Sequence, residues 1–320
     1  MSDSLPLVII NPTSARGRTG AMWAGVASDL RTHFGAFQPV WTKASGDAQE
    51  IAREESASGR RFIIACGGDG TINEVANGII ESGGMAELGI LPSGTGGDFR
   101  RTLNIPTNPR DASVALRTGR TRRIDVGQVT YTNHDGTTAG RYFLGVASAG
   151  MGSAVIEAVK AKDDSWLPAS ASRLLGGKLS FAAATLSTTM TFTKPTISVS
   201  LDDGASHRIT IASLCICNAR YFGGGMKIAP DAKLDDGLLD VIAIGDLDRA
   251  TTLTRAYRIY NGTHLSMEMV HHAHVRCIGV RPSNEHDVIK LEVDGELVGK
   301  LPATFEIVPR ALRVRCPEAN

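Results

Sequence analysis

The sequence predicts an α/β domain with a parallel sheet, followed by a domain built mainly of antiparallel β-strands. Up to about Ile124, short apolar runs alternate with stretches whose apolar residues recur every three or four positions, which is typical of strands alternating with helices. After Ile124, apolar and polar residues alternate in short runs separated by turns such as Asp203-Gly204, which is typical of an antiparallel sandwich or barrel. We therefore place the first domain at residues 1–124 and the second at 125–320.

The first domain is predicted to contain buried strands and amphipathic helices in alternation. Buried strands are predicted at Leu7 to Ile10, Phe62 to Cys66 and Leu88 to Leu91, with a shorter strand around Val40. Helices are predicted at Met22 to Phe34, Asp47 to Ser56 and Thr71 to Glu81. This alternation favours a parallel sheet covered on both faces.

The second domain is predicted to contain short strands and two helical segments, Ala154 to Ala161 and Leu174 to Leu186. Its predicted strands are Val126 to Tyr131, Tyr142 to Ala147, Thr196 to Leu201, Ile209 to Cys217, Leu238 to Ile244, Val275 to Val280, Ile289 to Val293, Thr304 to Val308 and Leu312 to Val314.

The composition indicates an ordinary globular protein of 320 residues, with 42% apolar and 21% charged residues. A net charge of +1 provides no field that would attract nucleic acid. The first residues lack the features of a signal peptide and no apolar run reaches the length of a bilayer span, so we expect a cytoplasmic protein. The five cysteines include no Cys-x-x-Cys pair, which favours reduced thiols.

Arginine is concentrated in the stretch from Arg100 to Arg123, where seven arginines accompany a single acid, Asp111. Two interpretations remain open for this stretch. It is either a solvated basic face or a surface that meets anionic lipid headgroups.

The strongest chemical signal is the segment from Gly67 to Asn73, Gly-Gly-Asp-Gly-Thr-Ile-Asn, directly after a buried strand and before a helix. Its glycines let the backbone approach a ligand, and the helix start offers unpaired N–H groups to a phosphate. The alternative, a tight turn without a ligand, is disfavoured by the acid among three glycines. The third glycine of the Rossmann fingerprint would fall at Asn73, and Walker A and protein-kinase motifs are absent. An acid beside phosphates, here Asp69, implies a metal ion between them, and magnesium is the usual choice.

A second glycine-rich loop, Pro92 to Phe99, follows another strand of the same predicted sheet and again contains an acid, Asp98. Loops after parallel strands lie together at the carboxyl edge of the sheet, so both loops are expected to contact one ligand.

Taken together, these segments resemble the diacylglycerol kinase catalytic-domain family, which includes bacterial lipid kinases and sphingosine kinases. The segments that carry the resemblance are Asn11 to Ala15, Gly67 to Asn73, Pro92 to Phe99, Asn218 to Met226, Ala229 to Asp240 and Asp294-Gly295-Glu296. The first glycine loop is shared with NAD kinases and phosphofructokinases, whereas the last three segments are particular to lipid kinases. The family fold, a nucleotide-binding α/β domain of the NAD kinase and phosphofructokinase type followed by an antiparallel β-sandwich, agrees with the prediction from periodicity.

The resemblance implies an ATP site, a general base and two magnesium sites. Glu296 stands at the family's position for the general base, and Asp69 and Asp98 match acids that act beside the phosphates and the catalytic metal. The second, structural magnesium site is implied at the carbonyls of Lys233 and Leu238 and the carboxylate of Asp236. The implied ATP-site residues are Asn11, Pro12, Thr13, Ser14, Ala15, Thr42, Gly67, Gly68, Asp69, Gly70, Thr71, Ile72, Asn73 and Thr95.

Two positions depart from the family pattern. Gly97 stands where an asparagine is common, and we expect a looser loop there. Ala15 stands where a glycine is common.

Three further clusters are interpreted as structural. The histidines at 271, 272 and 274 predict a polar strand edge rather than a metal site, because on a strand only His272 and His274 share a face. Cys215 and Cys217 are interpreted as core. The apolar segment Leu174 to Phe192 is interpreted as core rather than as a lipid pocket.

The sequence thus predicts a magnesium-dependent kinase that transfers phosphate from ATP to a hydroxyl of a lipid, such as diacylglycerol or a sphingoid base, at the membrane surface. The alternatives are an NAD or sugar kinase that shares the glycine-aspartate loop, and a non-catalytic nucleotide sensor. An intact Asp-Gly-Glu argues against the sensor, since a binding module needs no base. The lipid and the oligomeric state are left open, with a homodimer among the alternatives.

Overall fold

The computed structural model describes residues 5–83, 85–93, 97–163 and 192–318 and divides into two units. Unit 1 comprises Met1–Val126, Leu234–Gly237 and Val308–Asn320, and unit 2 comprises Gly127–Lys233 and Leu238–Ile307. A single boundary at Ile124 therefore does not describe the division, because two later segments belong to unit 1. The predicted helix Leu174 to Leu186 and the predicted ATP-site residue Thr95 lie outside the described residues.

Unit 1 contains a parallel sheet with the strand order β2-β1-β3-β4. Its strands are β1 (Leu7–Ile10), β2 (Gln38–Trp41), β3 (Phe62–Gly67) and β4 (Glu87–Pro92). Its helices are α1 (Arg18–His33), α2 (Asp47–Ala57), α3 (Asp69–Glu81), α4 (Asp98–Thr102) and α5 (Pro109–Thr118).

Helices cover both faces of this sheet, which confirms the prediction. Val8 and Ile10 of β1 pack with residues of α1 and α5 in one buried cluster. Leu7 and Ile9, which point to the opposite face, are equally buried, and α2 and α3 contact the strands of the sheet. The apolar runs of β1, β3 and β4 are continuous because both of their faces are buried.

Unit 2 is formed mainly by antiparallel strands. The strands after β4 are β5 (Arg120–Thr132), which begins in unit 1, β6 (Thr138–Phe143), β7 (Val146–Gly150), β8 (Thr196–Leu201), β9 (His207–Thr210), β10 (Ser213–Cys217), β11 (Leu239–Ile244), β12 (Val270–Val275), β13 (Cys277–Pro282), β14 (Lys290–Val293) and β15 (Glu296–Cys316), which ends in unit 1. The helices are α6 (Met151–Asp163), α7 (Arg249–Arg255) and α8 (Tyr257–Asn261), with a 3-10 turn at His264–Ser266.

The core of unit 2 lies between two groups of strands, as a sandwich requires. One group has the order β12-β11-β10-β7-β14 and the other the order β9-β8-β13. β15 pairs with β14 near its start and with β13 further along, so it joins both groups. One buried cluster draws residues from both, including Leu214, Leu291, Ile197 and Ile278.

Several strand boundaries predicted for the second domain were wrong. The predicted strand Tyr142 to Ala147 is two strands, because the chain breaks at Leu144-Gly145, whose N–H groups donate to the carboxylate of Asp294. The predicted strand Ile209 to Cys217 is also two, β9 and β10. The two predicted strands after residue 303 instead form parts of the continuous strand β15. The last part of β15 lies beside β4 in unit 1, where Arg313 and Val314 pair in parallel with it.

All five cysteines lie within the described residues and are unpaired. Burial raises the pKa of the Cys66 and Cys215 thiols to about 12, so both stay protonated at neutral pH. Within the described part of the chain, every helix is too short or too polar to cross a bilayer.

The packing of α2 against α3 generates a test of unit 1. A methyl group at Gly78 would lie 2.2 Å from the carbonyl oxygen of Gln49 and 2.8 Å from the nitrogen of Arg53, so Gly78→Ala should lower the free energy of unfolding by about 1–3 kcal/mol. Gly25 of α1 is the matched control, since nothing lies within 4 Å of its added methyl group. Gly25→Ala should stabilise by up to about 1 kcal/mol. Urea unfolding of both variants measures the difference, and equal effects would contradict the described packing.

Candidate functional site

The loops that follow β1 and β3 meet at the carboxyl edge of the parallel sheet. Asn11 Nδ2 donates to Thr71 Oγ1 at 3.0 Å, and Asn11 Oδ1 accepts from the nitrogen and the hydroxyl of Thr13 at 3.1 and 2.8 Å. Ser14 Oγ accepts from the Gly68 nitrogen at 3.4 Å. The side chains of the first loop thus hold it against the glycine loop at the start of α3.

The loop after β4 is attached to the same edge. The hydroxyls of Thr19 and Ser93 are 2.6 Å apart, and the Ser93 nitrogen donates to the Gly67 carbonyl at 2.9 Å. Thr19 is buried, so this contact is shielded from water. The three loops expected to hold ATP are therefore joined by direct hydrogen bonds within unit 1.

Asp69 connects the two glycine loops. Its Oδ2 accepts from the nitrogens of Gly97 and Asp98 at 2.8 and 3.1 Å, and its Oδ1 accepts from the Phe99 nitrogen at 3.3 Å. These amides form the start of α4, where a carboxylate satisfies unpaired N–H groups and complements the helix dipole. The geometry therefore gives Asp69 a bracing role in addition to the predicted role beside phosphates.

Asp98 lies next to Asp69 and forms an ion pair with Arg101, whose Nη1 is 2.6 Å from Asp98 Oδ1. The preceding Gly97 has a φ of +66°. Glycine and asparagine are the residues that adopt this left-handed conformation most easily, which accounts for either residue at this position. The Gly97 nitrogen donates to Asp69, so this point of the loop is held although glycine lacks the side chain of asparagine.

Ala15 lies in a left-handed turn of the first loop. Its φ is +55°, and the next two residues, Arg16 and Gly17, have φ values of +59° and +84°. A non-glycine residue in this conformation costs about 1–2 kcal/mol, which gives a physical reason for a glycine at position 15. Such backbone strain is typical of functional loops.

The remaining predicted ATP-site residues have different environments. The side chains of Ile72 and Asn73 are buried inside unit 1, Asn73 Oδ1 accepts from Asn77 Nδ2 at 3.1 Å, and the Ile72 nitrogen donates to the Gly68 carbonyl at 3.1 Å. An added methyl group at Gly67 would lie 2.5 Å from Thr71 Oγ1, so this glycine is required by packing. Thr42 is buried at the end of β2, and its nitrogen donates to the Ile10 carbonyl at 2.9 Å.

In unit 2, Glu296 follows the two-residue turn Asp294-Gly295 that joins β14 to β15. Both turn residues have positive φ, at +48° and +88°, as a tight hairpin requires. Glu296 Oε2 accepts from Arg141 Nη1 at 2.9 Å, and 43% of the Glu296 side chain is exposed. The predicted base is thus a partly exposed carboxylate held by a guanidinium.

Two acids beside Glu296, the buried Glu292 and the half-buried Asp294, were assigned no role from the sequence. Asp294 accepts from the nitrogens of three consecutive residues, 144 to 146, at 2.8–3.0 Å, and burial raises its pKa to about 6. Glu292 accepts from Ser148 Oγ at 2.5 Å and from the Gly295 nitrogen, and burial raises its pKa to about 7. Three acids at alternate positions, 292, 294 and 296, around a predicted hairpin turn were the available signal.

The segment predicted to hold a structural metal is braced by another acid that the sequence analysis missed, Asp125. Its buried carboxylate accepts from the nitrogens of Gly237 and Arg310, each at 2.7 Å, and its own nitrogen donates to the Leu234 carbonyl at 2.6 Å. Asp236 is exposed, and it belongs to unit 1 together with these residues. Its predicted co-ligands Lys233 and Leu238 are assigned to unit 2.

Some arginines of the stretch from Arg100 to Arg123 form ion pairs. Arg101 pairs with Asp98, Arg122 with Asp235, and Arg120 with Glu318. On α5, by contrast, Arg110, Val114 and Arg117 are all exposed and lie on one face of the helix because of their spacing.

Domains of known protein families match both halves of the chain. The diacylglycerol kinase catalytic domain matches residues 6–129, and the YegS C-terminal NAD kinase beta sandwich-like domain matches residues 146–316. The two matched regions correspond to the α/β domain and the β-sandwich.

Similar proteins extend over nearly the whole chain. A diacylglycerol kinase of Bacillus subtilis (strain 168) is 29% identical over 312 residues, covering 97% of this chain and 96% of that protein. A probable lipid kinase YegS-like of Pseudomonas aeruginosa PAO1 is 34% identical over 280 residues, covering 87% of this chain and 84% of its own length. The crystal structure of a diacylglycerol kinase from Bacillus anthracis str. Sterne has the same fold, with a TM-score of 0.71 at 21% identity, covering 99% and 98% of the two chains.

The raised pKa values of Glu292 and Asp294 generate a pH prediction. Because burial raises both pKa values, to about 7 and about 6, the native state binds these protons more tightly than the unfolded state. Their contribution to stability is full below about pH 4 and is lost as the pH rises through 6 and 7.

Glu292→Gln should therefore reduce the fall in unfolding free energy between about pH 4.5 and 7.5 by roughly 3 kcal/mol, since each pKa unit corresponds to about 1.4 kcal/mol. Chemical denaturation of the parent and the variant at several pH values measures the two slopes. Glu285→Gln, at an exposed position, is the control and should keep the parent slope. Identical slopes for Glu292→Gln and the parent would refute the raised pKa.

Proposed function

The chain belongs to the diacylglycerol kinase family and is a lipid kinase, and we propose that it transfers the γ-phosphate of ATP to a hydroxyl of a membrane lipid such as diacylglycerol or a sphingoid base. The observation that carries this proposal is the set of three loops joined at the carboxyl edge of the parallel sheet, in a chain matched by the family along both domains. Curated relatives named as diacylglycerol kinases support a glycerolipid acceptor.

ATP is proposed to bind through main-chain amides of the loops from Asn11 to Ala15 and from Gly67 to Asn73, together with Thr42 and Thr95. The start of α3 supports this role, because its first amides and its dipole favour phosphate oxygens. The left-handed conformations at Ala15, Arg16 and Gly17 support it as well, since successive turned amides form anion-binding concavities.

Magnesium is proposed as the metal of both sites. Asp69 and Asp98 fit the first, because the Asp98 nitrogen donates to the Asp69 carboxylate, which keeps the two acids close together, and magnesium prefers oxygen ligands. Carboxylate oxygens have several lone pairs, so the amide contacts of Asp69 do not exhaust its capacity. When bound there, magnesium would neutralise charge on the transferred phosphate.

The second magnesium is proposed at Asp236 and the carbonyls of Lys233 and Leu238. The donor set is entirely oxygen, which suits magnesium or calcium. The Asp125 carboxylate holds the Leu234–Gly237 segment through the Gly237 nitrogen, so this part of the site is ordered by the protein itself. Removal of Asp236 should therefore weaken metal binding without releasing the segment from Asp125.

Glu296 is proposed as the general base. Its carboxylate would accept the proton of the lipid hydroxyl as that oxygen forms a bond to the γ-phosphorus, while the bond from phosphorus to the leaving ADP oxygen breaks. Arg141 orients the carboxylate, and the buried contacts of Asp294 and Glu292 fix the hairpin that presents it.

The experiment that tests the kinase proposal is a radiolabelled-ATP assay with mixed micelles of diacylglycerol or a sphingoid base. Glu296→Gln keeps size and hydrogen bonding but cannot accept a proton, so kcat should fall by about 10²–10⁴-fold. ATP affinity should scarcely change, because the proposed nucleotide loops belong to unit 1. Glu285→Gln, an exposed change in the same unit, should retain parental turnover.

Near-normal turnover by Glu296→Gln would leave the kinase proposal standing and assign the base to another group. If the parent protein phosphorylates neither diacylglycerol nor the sphingoid base, the proposal that its acceptor is one of these lipids is overturned.

Binding to anionic membranes is proposed for the exposed face of α5 formed by Arg110, Val114 and Arg117. The unpaired cysteines favour a cytoplasmic location, and from there the enzyme would bind to the membrane surface. Each arginine near an anionic leaflet contributes about 1 kcal/mol. The double change Arg110→Gln and Arg117→Gln should thus weaken vesicle binding by roughly 30-fold at low salt.

Sedimentation with vesicles of increasing anionic lipid content measures this effect, and salt should reduce it. The matched control, Arg276→Gln with Arg281→Gln, removes the same charge from exposed positions in unit 2. Equal loss in both double variants would show a net-charge effect rather than a docking face.

A further inference from the structure

Two histidines of unit 2 converge on one buried carboxylate. β11 and β12 are antiparallel neighbours, with Asp240 opposite His274 and Ile242 opposite His272. His272 and His274 occupy alternate positions of β12, so both side chains lie on the face where Asp240 lies. Asp240 is buried, whereas the two histidines are exposed.

The distances among these groups suit a metal ion. The Nε2 atoms of His272 and His274 each lie 3.3 Å from the same oxygen, Asp240 Oδ1. The three ligand atoms all lie within 4.8 Å of one another. Atoms bound to zinc at about 2.0–2.1 Å in a tetrahedral arrangement are separated by about 3.3 Å, whereas charge-assisted N–H···O bonds are usually about 2.7–2.9 Å long.

Buried apolar residues lie beside Asp240 and would exclude water from one side of a bound metal. Cys217 lies opposite Asp240 in β10, and its side chain belongs to a buried cluster with Cys215, Ile228 and Ile242. An apolar floor of this kind limits water on one side of a metal. The exposed imidazoles leave the opposite side open.

We propose that Asp240, His272 and His274 form a binding site for Zn²⁺ or a similar divalent transition metal. The ligands are the Nε2 atoms of both histidines and a carboxylate oxygen of Asp240, and a fourth position faces solvent. Imidazole nitrogen favours zinc, nickel or copper over magnesium, so this site differs in chemistry from the all-oxygen magnesium sites proposed above. It does not rest on the proposed kinase activity.

A metal at this site would cross-link β12 to β11. Within the described residues, β12 ends the strand order and pairs only with β11. Such an edge strand is held by one ladder of hydrogen bonds, so a metal bridge from its histidines to Asp240 would add a second attachment. Zinc should therefore raise the thermal stability of the protein as well as bind to it.

The test is a zinc titration of the full-length protein after removal of metals with a chelator. Isothermal calorimetry should show one zinc ion per chain, and Co²⁺ in its place should give a visible d–d absorption band. His272→Gln and His274→Gln should each weaken zinc binding at least about tenfold. His271→Gln is the matched control, because His271 lies on the opposite face of the same strand and should leave affinity unchanged.

Thermal unfolding without metal verifies that the three variants are folded. Addition of zinc should then raise Tm in the parent and in His271→Gln but not in His272→Gln or His274→Gln. A parent protein that binds no zinc at micromolar concentration would overturn the proposal. Equal zinc affinity in all three variants would do the same, since it would assign binding to other histidines.

Discussion

The carboxylate of Asp69 accepts hydrogen bonds from three successive amides at the start of α4, and the arrangement of the candidate site depends on this interaction. α4 has only five residues, too few to be stable by itself in water. Its first amides would otherwise lack partners, and the loop that carries Asp98 would have no fixed position relative to the glycine loop. The contacts of Asn11 and Thr19 then hold the first loop to this braced pair.

Two other aspartates, the buried Asp125 and the half-buried Asp294, fix loops in the same way. Asp294 accepts hydrogen bonds from three backbone amides of the segment after β6, and Asp125 accepts them from the amides of Gly237 and Arg310. In each case one carboxylate satisfies several backbone donors that no strand or helix would pair. Glu296 is held differently, because its carboxylate pairs with Arg141 and 43% of its side chain is exposed. Asp69, Asp125 and Asp294 thus fix loops, and the contacts of Asp294 fix the hairpin on which Glu296 lies.

The sequence predicted the features that depend on near neighbours and missed those that depend on distant ones. Periodicity predicted β1, β3 and β4 to within a residue or two, and the fold class was confirmed, because burial on both faces leaves a local pattern. The break between β6 and β7 is caused by Asp294, about 150 residues later, and no local pattern reports it. The convergence of Asp240 on two histidines 32 and 34 positions away depends equally on strand register. The roles of the predicted site residues remain predictions, although their loops are joined as expected.

Three acids within five residues would repel one another if all were ionised, and the β14–β15 hairpin limits this repulsion in two ways. Burial raises the pKa of Glu292 to about 7 and that of Asp294 to about 6, so both carboxyls keep their protons to a higher pH than free acids do. Arg141 opposes both increases through its positive charge and also pairs directly with Glu296. One guanidinium is therefore the common counter-ion of the hairpin. Because the raised pKa values reduce the charge on Glu292 and Asp294, the guanidinium can pair with Glu296, 43% of whose side chain is exposed.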